Sequence, residues 1–273
     1  MTRGDSLLLF DPILQRASMH SPDGRFVRSF RAPSGLGNPV ETGDGRFVLN
    51  EIVGQPNRIG FPFHEFSRDG MIGRSFGSEQ GDLRPTESWR LRYFTSRAIG
   101  GRPDEFWGFR ENGTYSIELW GVGERTPRRV IDRDAVWYPP FPATGVLRPS
   151  ADRPPQSKVV GFWQDDAGLL WVVLRVPDPR WRSAIVAPAP RDGRRSETGE
   201  AISLEIKNPA HYTDTRIEVI DPIRGTLVAT QQFDRSLWGG SGRGVLLSRA
   251  VDSDPDDPTW VVVKPRLVGG SLQ

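Results

Sequence analysis

Few side chains in this 273-residue chain could do covalent chemistry. There is no cysteine, which excludes thiolate nucleophiles, thiolate metal sites and disulfides, and three histidines leave little scope for a multi-histidine cluster. His20 precedes a turn and His64 occupies a matching strand, so both read as structural; His211 stands alone in a polar stretch and is kept as a binding candidate. No Gly-x-Ser-x-Gly elbow is present to expose a serine. Gly239–Gly244 is glycine-rich but lacks the lysine and the following helix of a phosphate loop, so it reads as a turn. Asp165-Asp166 and the run Asp252, Asp254, Asp256, Asp257 offer the oxygen ligands that hard cations take. Without Gly and Glu at calcium-loop spacing, they read as solvated turns. The sequence therefore assigns no catalytic residue, no metal ligand and no cofactor.

What remains for function is aromatic and lies in two stretches that break the rhythm of the chain. Residues 136–156 follow Ala135 with Trp137, Tyr138 and a series of prolines. They form either a connection capping the fold or a recognition surface. Residues 177–214 contain Pro179-Arg-Trp-Arg182, Arg191-Asp-Gly-Arg-Arg195 and Ala210-His-Tyr212. They form either a variable excursion or a binding loop, since long loops on rigid scaffolds often carry function. Trp137, Tyr138, Trp181, His211 and Tyr212 are the candidate binding residues.

The elements that must hold these loops are strands. Thirty glycines and 24 prolines make turns dense, and no 12-residue amphipathic window is free of both. Ser21-Pro-Asp-Gly-Arg-Phe-Val-Arg-Ser-Phe30 aligns without gaps on Ser67-Arg-Asp-Gly-Met-Ile-Gly-Arg-Ser-Phe76, with six of ten positions identical. Each copy is an Asp-Gly turn feeding a strand, the signature of a tight hairpin. Leu7–Asp11 and Ile59–Phe63 are expected to lead into these turns as apolar strands, with Phe26 and Ile72 packing between layers. Arg216–Thr230 is a weaker third copy, and Tyr115–Trp120 another alternating strand; both are expected to be outer and half-exposed. Interleaved turns at Gly43–Gly45, Pro103–Glu105, Asp165–Gly168 and Gly240–Gly244 feed more continuously apolar strands, as expected of strands buried on both faces. About four strands per 40–50 residues is the signature of propeller blades, whereas a β-sandwich has no reason to repeat a ten-residue motif.

The stretch Leu8–Phe30 resembles the outer-strand signature of bacterial six-bladed β-propellers related to NHL repeats, and the resemblance continues more weakly to Trp260–Lys264. It implies fold rather than activity, because such propellers share no catalytic set. The expected fold is all-β: one propeller domain over 1–273 built of four-stranded antiparallel blades. About five blades or part-blades are present over 5–34, 36–78, 86–135, 157–235 and 236–270. The first blade is expected to be incomplete, with one blade and a leader lying upstream. A five-bladed ring closed by Leu7–Phe10 and Trp260–Val263 is the alternative. An upstream leader would place the protein in the periplasm, outside the cell or on a lipid anchor; taken alone, residues 1–15 carry no signal.

Charge narrows the partners. Thirty-six basic residues against 34 acidic ones leave a net charge of +2, and no basic stripe interleaved with aromatics suggests nucleic acid. Only Lys158, Lys207 and Lys264 are lysines, an arginine bias that fits genome composition. No run of 18 apolar residues could span a membrane. Three function classes stay open, one of them a fragment with no independent function. Another is a non-catalytic binding or scaffold propeller for a protein, peptide or glycan. The third is a hydrolase or lyase propeller with a channel metal, for which Asn50, Glu51 and Asn112 would be the ligands.

Overall fold

The computed structural model describes residues 7–11, 14, 16–31, 40–42, 45–50, 58, 61–67, 71–77, 94–99, 104–110, 115–138, 150–186, 204–239, 244–249, 259–269 and 271–272. Among them the only helical elements are two 3-10 turns, Trp181–Ala184 and Pro209–His211; the rest of the regular structure is antiparallel strand. Blade I comprises β1 (Leu7–Asp11), β2 (Arg16–His20) and β3 (Phe26–Arg31), and blade II comprises β4 (Val40–Glu41), β5 (Phe47–Asn50), β6 (Phe63–Phe66) and β7 (Ile72–Phe76). Blade III comprises β8 (Phe94–Ile99), β9 (Glu105–Arg110), β10 (Tyr115–Gly121) and β11 (Arg129–Arg133). Blade IV comprises β12 (Lys158–Gln164), β13 (Leu170–Pro177), β16 (Thr213–Asp221) and β17 (Thr226–Phe233). The small hairpin β14 (Ile185–Val186) with β15 (Glu205–Ile206) lies between β13 and β16. Blade V comprises β18 (Leu237–Gly239), β19 (Leu246–Arg249) and β20 (Trp260–Val263), and β21 (Leu267–Val268) pairs with β22 (Ser271–Leu272).

The blades are arranged radially. First strands neighbour one another in succession, β4 against β8, β8 against β12 and β12 against β18, while fourth strands such as β17 lie outermost and half-exposed. The core is four layers, one between each pair of blades. Met19 and Phe30 meet Phe47, Leu49 and Phe66; Phe63 and Phe76 meet Phe106 and Trp120. Phe109, Tyr115 and Ile117 meet Phe162, Val172 and Leu174; Trp163, Trp171 and Ile217 meet Leu237 and Leu246. Alternation along a strand thus sends Leu170, Val172 and Leu174 to one neighbour and Trp171 and Val173 to the other. The chain is an all-β propeller.

Four expectations need correction. Leu7–Asp11 does not lead into the Asp-Gly turn. Asp11 Oδ1 accepts the Leu14 amide at 2.9 Å, the chain reverses, and it is β2 that feeds the turn closed by Gly24. Phe26 is 61% exposed, whereas Ile72 packs partly into the layer between blades I and II. The register shift at Met19/His20 leaves Phe26 against His20, ring centroids 5.8 Å apart. The equivalence of the two motifs appears at their last residue: Phe30 stacks on Phe47 of blade II as Phe76 meets Phe106 of blade III. Finally, β10 and β16 are third strands buried on both faces, not outer ones, because a neighbouring blade covers each side. The Gly70 turn, and the run from Asp252 to Asp257, lie outside the described residues. The strands β1 and β20 stand in separate sheets, β1 bonded to β2 and β20 to β19.

Candidate functional site

Antiparallel meanders send alternate connections to opposite faces of the ring. One face carries the connections from first to second and from third to fourth strands, namely 42–46, 67–71, 100–104, 122–128, 165–169, 222–225 and 240–245, with 21–25 of three-stranded blade I, whose β2 and β3 match β6 and β7. All are seven residues or fewer, and Gly24, Gly45, Gly123, Gly168, Gly225 and Gly244 in them take positive φ, as tight hairpins require. Every longer connection between described strands leaves from the strand ends on the opposite face, including 51–62, 77–93, 134–157, 178–212 and 250–259. Both stretches singled out from the sequence therefore leave from this loop face, on neighbouring blades.

The base of the 178–212 excursion is built and buried. Pro177 ends β13 opposite Thr213 at the start of β16, so Asp178 and Asp214 flank the departure and return of the chain. Trp181 is buried in the 3-10 turn that follows, its amide donating to the Asp178 carbonyl at 3.0 Å, and the Arg182 guanidinium lies 4.5 Å from its ring centroid. His211 is half-buried, with Asn208 Nδ2 at 3.0 Å from Nδ1, and the Tyr212 carbonyl accepts the Asp178 amide at 3.3 Å. Burial pushes the Tyr212 phenol above its ordinary value.

Three carboxylates converge here, those of Asp178, Asp214 and Asp234, with one oxygen from each within 4.8 Å of the others. Asp178 is fully buried, Asp214 is 4% exposed and Asp234 is exposed. Arg180 spans two of them, donating from Nε to Asp178 Oδ1 at 3.0 Å and from NH2 to Asp178 Oδ2 at 2.8 Å and Asp234 Oδ1 at 2.5 Å. The two buried acids are pushed apart in acidity. The Arg180 side chain holds Asp178 below the ordinary carboxylate value, whereas burial, then the charges of Asp178 and Asp234, raise Asp214 despite a 2.8 Å bond from Gln232 Nε2 to Oδ2. The second oxygen of Asp214, Oδ1, is buried with no donor among the described residues.

The 136–156 stretch meets the same region along β16. Asp214, Arg216 and Glu218 alternate down one face of that strand, and the Arg216 guanidinium lies 4.5 Å from the Trp137 ring centroid. Trp137 is half-buried and packs edge-on to Tyr115, centroids 5.9 Å apart, while Tyr138 is buried beside Phe109 and Tyr115. Below them Glu218, fully buried, accepts from Tyr115 Oη at 2.9 Å, from Arg216 Nε at 3.3 Å and from Arg133. Burial, then the Glu218 charge, drive the Tyr115 phenol well above its ordinary value. An open cavity of about 790 Å³ lined by Tyr115, Glu118, Val130 and Arg133 runs outward from this cluster. On the far side of blade IV, Trp238 and Trp260 are each about half-exposed with centroids 6.4 Å apart, and Arg175 lies 4.2 Å from the Trp238 ring.

Trp181, His211 and Tyr212 thus gather at one excursion base, whereas Trp137 packs against Arg216, two residues along β16 from Asp214, with Tyr138 serving as packing beneath. Asp178, Arg180, Asp214 and Asp234 were not candidates from the sequence. Their one signal there is position, since Asp178 and Asp214 bound the excursion. Of the channel-metal candidates, Glu51, Asn112 and the Asn50 side chain lie outside the described residues. His64 is fully buried with Nδ1 2.8 Å from Ser75 Oγ, a packing role.

No family model matches this chain, and no curated protein matches it in sequence. Solved structures do. A member of the DUF4221 family from Bacteroides vulgatus is similar with a TM-score of 0.51 at 9% identity, over 96% of this chain and 76% of that one. A putative exported protein from Bacteroides fragilis aligns with a TM-score of 0.44 at 9% identity, over 96% and 74%. The Dos1 propeller aligns with a TM-score of 0.40 at 9% identity, over 97% and 57%. The first of these supports the fold and nothing beyond it. Among the described residues, no helix is long and apolar enough to cross a membrane.

Proposed function

We propose that this propeller is a non-catalytic binding protein related to NHL-repeat propellers, and that it takes a protein, peptide or glycan ligand on the loop face of blades III to V. The observation that carries the reading is an asymmetry: every connection longer than seven residues between described strands departs from the strand ends on one face. That face holds half-exposed Trp137, Trp238 and Trp260 with Arg216 and Arg175 close to the rings of the first two. Flat aromatic faces beside guanidinium donors suit sugar rings and peptide side chains alike, since both present C–H surface edged by polar groups.

The test is binding of the purified chain to immobilised glycan and peptide arrays, repeated with Trp238→Ala and Trp260→Ala on the loop face and Arg224→Glu on the turn face. The expected result is a captured ligand class whose retention falls at least tenfold in the tryptophan variants and is unchanged in the turn-face control. Turnover of the captured ligand, or loss of binding only in Arg224→Glu, would overturn the proposal.

A further inference from the structure

We propose that Asp178, Asp214 and Asp234 form a calcium site at the base of the 178–212 excursion, tying the end of β13, the start of β16 and the exit of β17 together on the loop face. The donor set is all oxygen, which suits a hard cation and disfavours zinc. Ligand count, rather than spacing, selects calcium: three protein carboxylates converge, whereas magnesium keeps several waters and is usually held by one or two carboxylates, and the oxygens here lie within 4.8 Å of one another, close enough to share one ion. Charge points the same way. Three carboxylates face one guanidinium, that of Arg180, and the excess of two negative charges is what a divalent ion offsets.

The second observation is independent of the clustering. Asp214 is 4% exposed, its Oδ2 is used by Gln232, and its buried Oδ1 has no donor among the described residues. A buried carboxylate oxygen without a partner costs free energy unless something comes to it, and in native structures such a group calls for a specific explanation. Arg180 does not fill the role, since its contacts go to Asp178 and Asp234. Each carboxylate oxygen has two lone pairs, so Asp178 and Asp234 keep acceptor sites while bonded to Arg180. The site does not depend on the identity of any ligand bound at the loop face. Its consequence for the excursion is mechanical: a cation bridging both ends fixes the loop that carries Trp181, His211 and Tyr212.

The experiment uses the full 273-residue chain stripped with a chelator and then titrated with Ca²⁺, Mg²⁺ and Tb³⁺. Trp181, whose backbone amide bonds to the Asp178 carbonyl, is the neighbouring indole that should sensitise terbium emission. The expected result is one saturable Ca²⁺ site by calorimetry, sensitised Tb³⁺ emission displaced by Ca²⁺, and a rise in melting temperature with Ca²⁺ that a tenfold excess of Mg²⁺ does not reproduce. Asp234→Ala, on an exposed position, should weaken Ca²⁺ roughly tenfold, and Asp214→Asn should abolish the site, because affinity follows ligand charge count. No saturable Ca²⁺ binding, together with Asp214→Asn raising the melting temperature in metal-free buffer, would overturn the proposal and leave Asp214 as an acid sharing a proton with Asp178. Binding that survives Asp234→Ala unchanged, or that Mg²⁺ matches, would overturn it equally. Should Asp214→Asn fail to fold, Asp234→Ala decides alone.

Discussion

Replacing Glu218 by Gln perturbs the contact that joins blades III and IV. Glu218 is fully buried on β16, and its donors come from both blades: Tyr115 Oη at 2.9 Å and Arg133 from blade III, Arg216 Nε at 3.3 Å from its own strand. The amide keeps the shape and removes the charge, leaving two guanidinium groups with no anion. Removing one partner of a buried ion pair costs about 3–5 kcal/mol. The Arg133 and Arg216 side chains are 16% and 22% exposed, so water recovers part of their solvation and the lower end applies, about 3 kcal/mol. Tyr115→Phe deletes one hydrogen bond to a charged acceptor, worth about 1.5–3 kcal/mol, and leaves the ion pairs intact. The double variant should therefore show a coupling of about 1 kcal/mol or more, since Tyr115 loses much of its role once Glu218 is neutral. Urea unfolding at pH 7, followed by circular dichroism and tryptophan fluorescence together, measures all three. A cost below about 1 kcal/mol for Glu218→Gln, or strict additivity of the two changes, would refute the reasoning.

Three further outcomes are expected. The folded-state pKa of Tyr115 is raised above its ordinary 10.0, so its contribution is whole below that pH and is lost as pH climbs through the folded value. An alkaline titration read at 295 nm should show one of the four tyrosines ionising only with unfolding, and its early ionisation would refute this. Gly24 has φ +83° with nothing within 4 Å of an added Cβ, so Gly24→Val should cost about 1–3 kcal/mol from backbone conformation alone, and Gly24→Asn less, by urea midpoint. Phe76→Ala should cost about 3–5 kcal/mol because the ring is buried in the layer between blades II and III. Phe26→Ala, at the exposed position, should stay within about 0.5 kcal/mol, and similar losses at both sites would refute the placement of the two motifs.

The excursion base was invisible to sequence reasoning for a physical reason. Asp178, Asp214 and Asp234 are separated by 36 and 20 residues, with no motif spacing, and the register of β13 against β16 is what brings the first two together. Trp181, His211 and Tyr212 could be chosen by type, because aromatic and imidazole groups in a polar stretch stand out. That Trp181 is buried while His211 is only half-buried depends on how the two 3-10 turns fold over blade IV.

The strands, tight turns and blade repeat follow from local chemistry. Asp-Gly and Gly-rich turns need positive φ and name themselves, and period-2 patterns need only neighbours along the chain. Which strand of a blade is outermost does not follow from such patterns. In β16, Asp214, Arg216 and Glu218 look like a polar face, yet Glu218 is fully buried because Arg133 and Tyr115 of the neighbouring blade neutralise and bond it. Conversely, Phe26 looks like a core residue and is exposed, because one bulge in β3, at Val27, turned it away. Burial in a propeller is decided by the blade alongside, a contact between residues far apart in sequence. Alternation in the sequence determined that each strand has two faces; only the stacking of blades decided what each face meets.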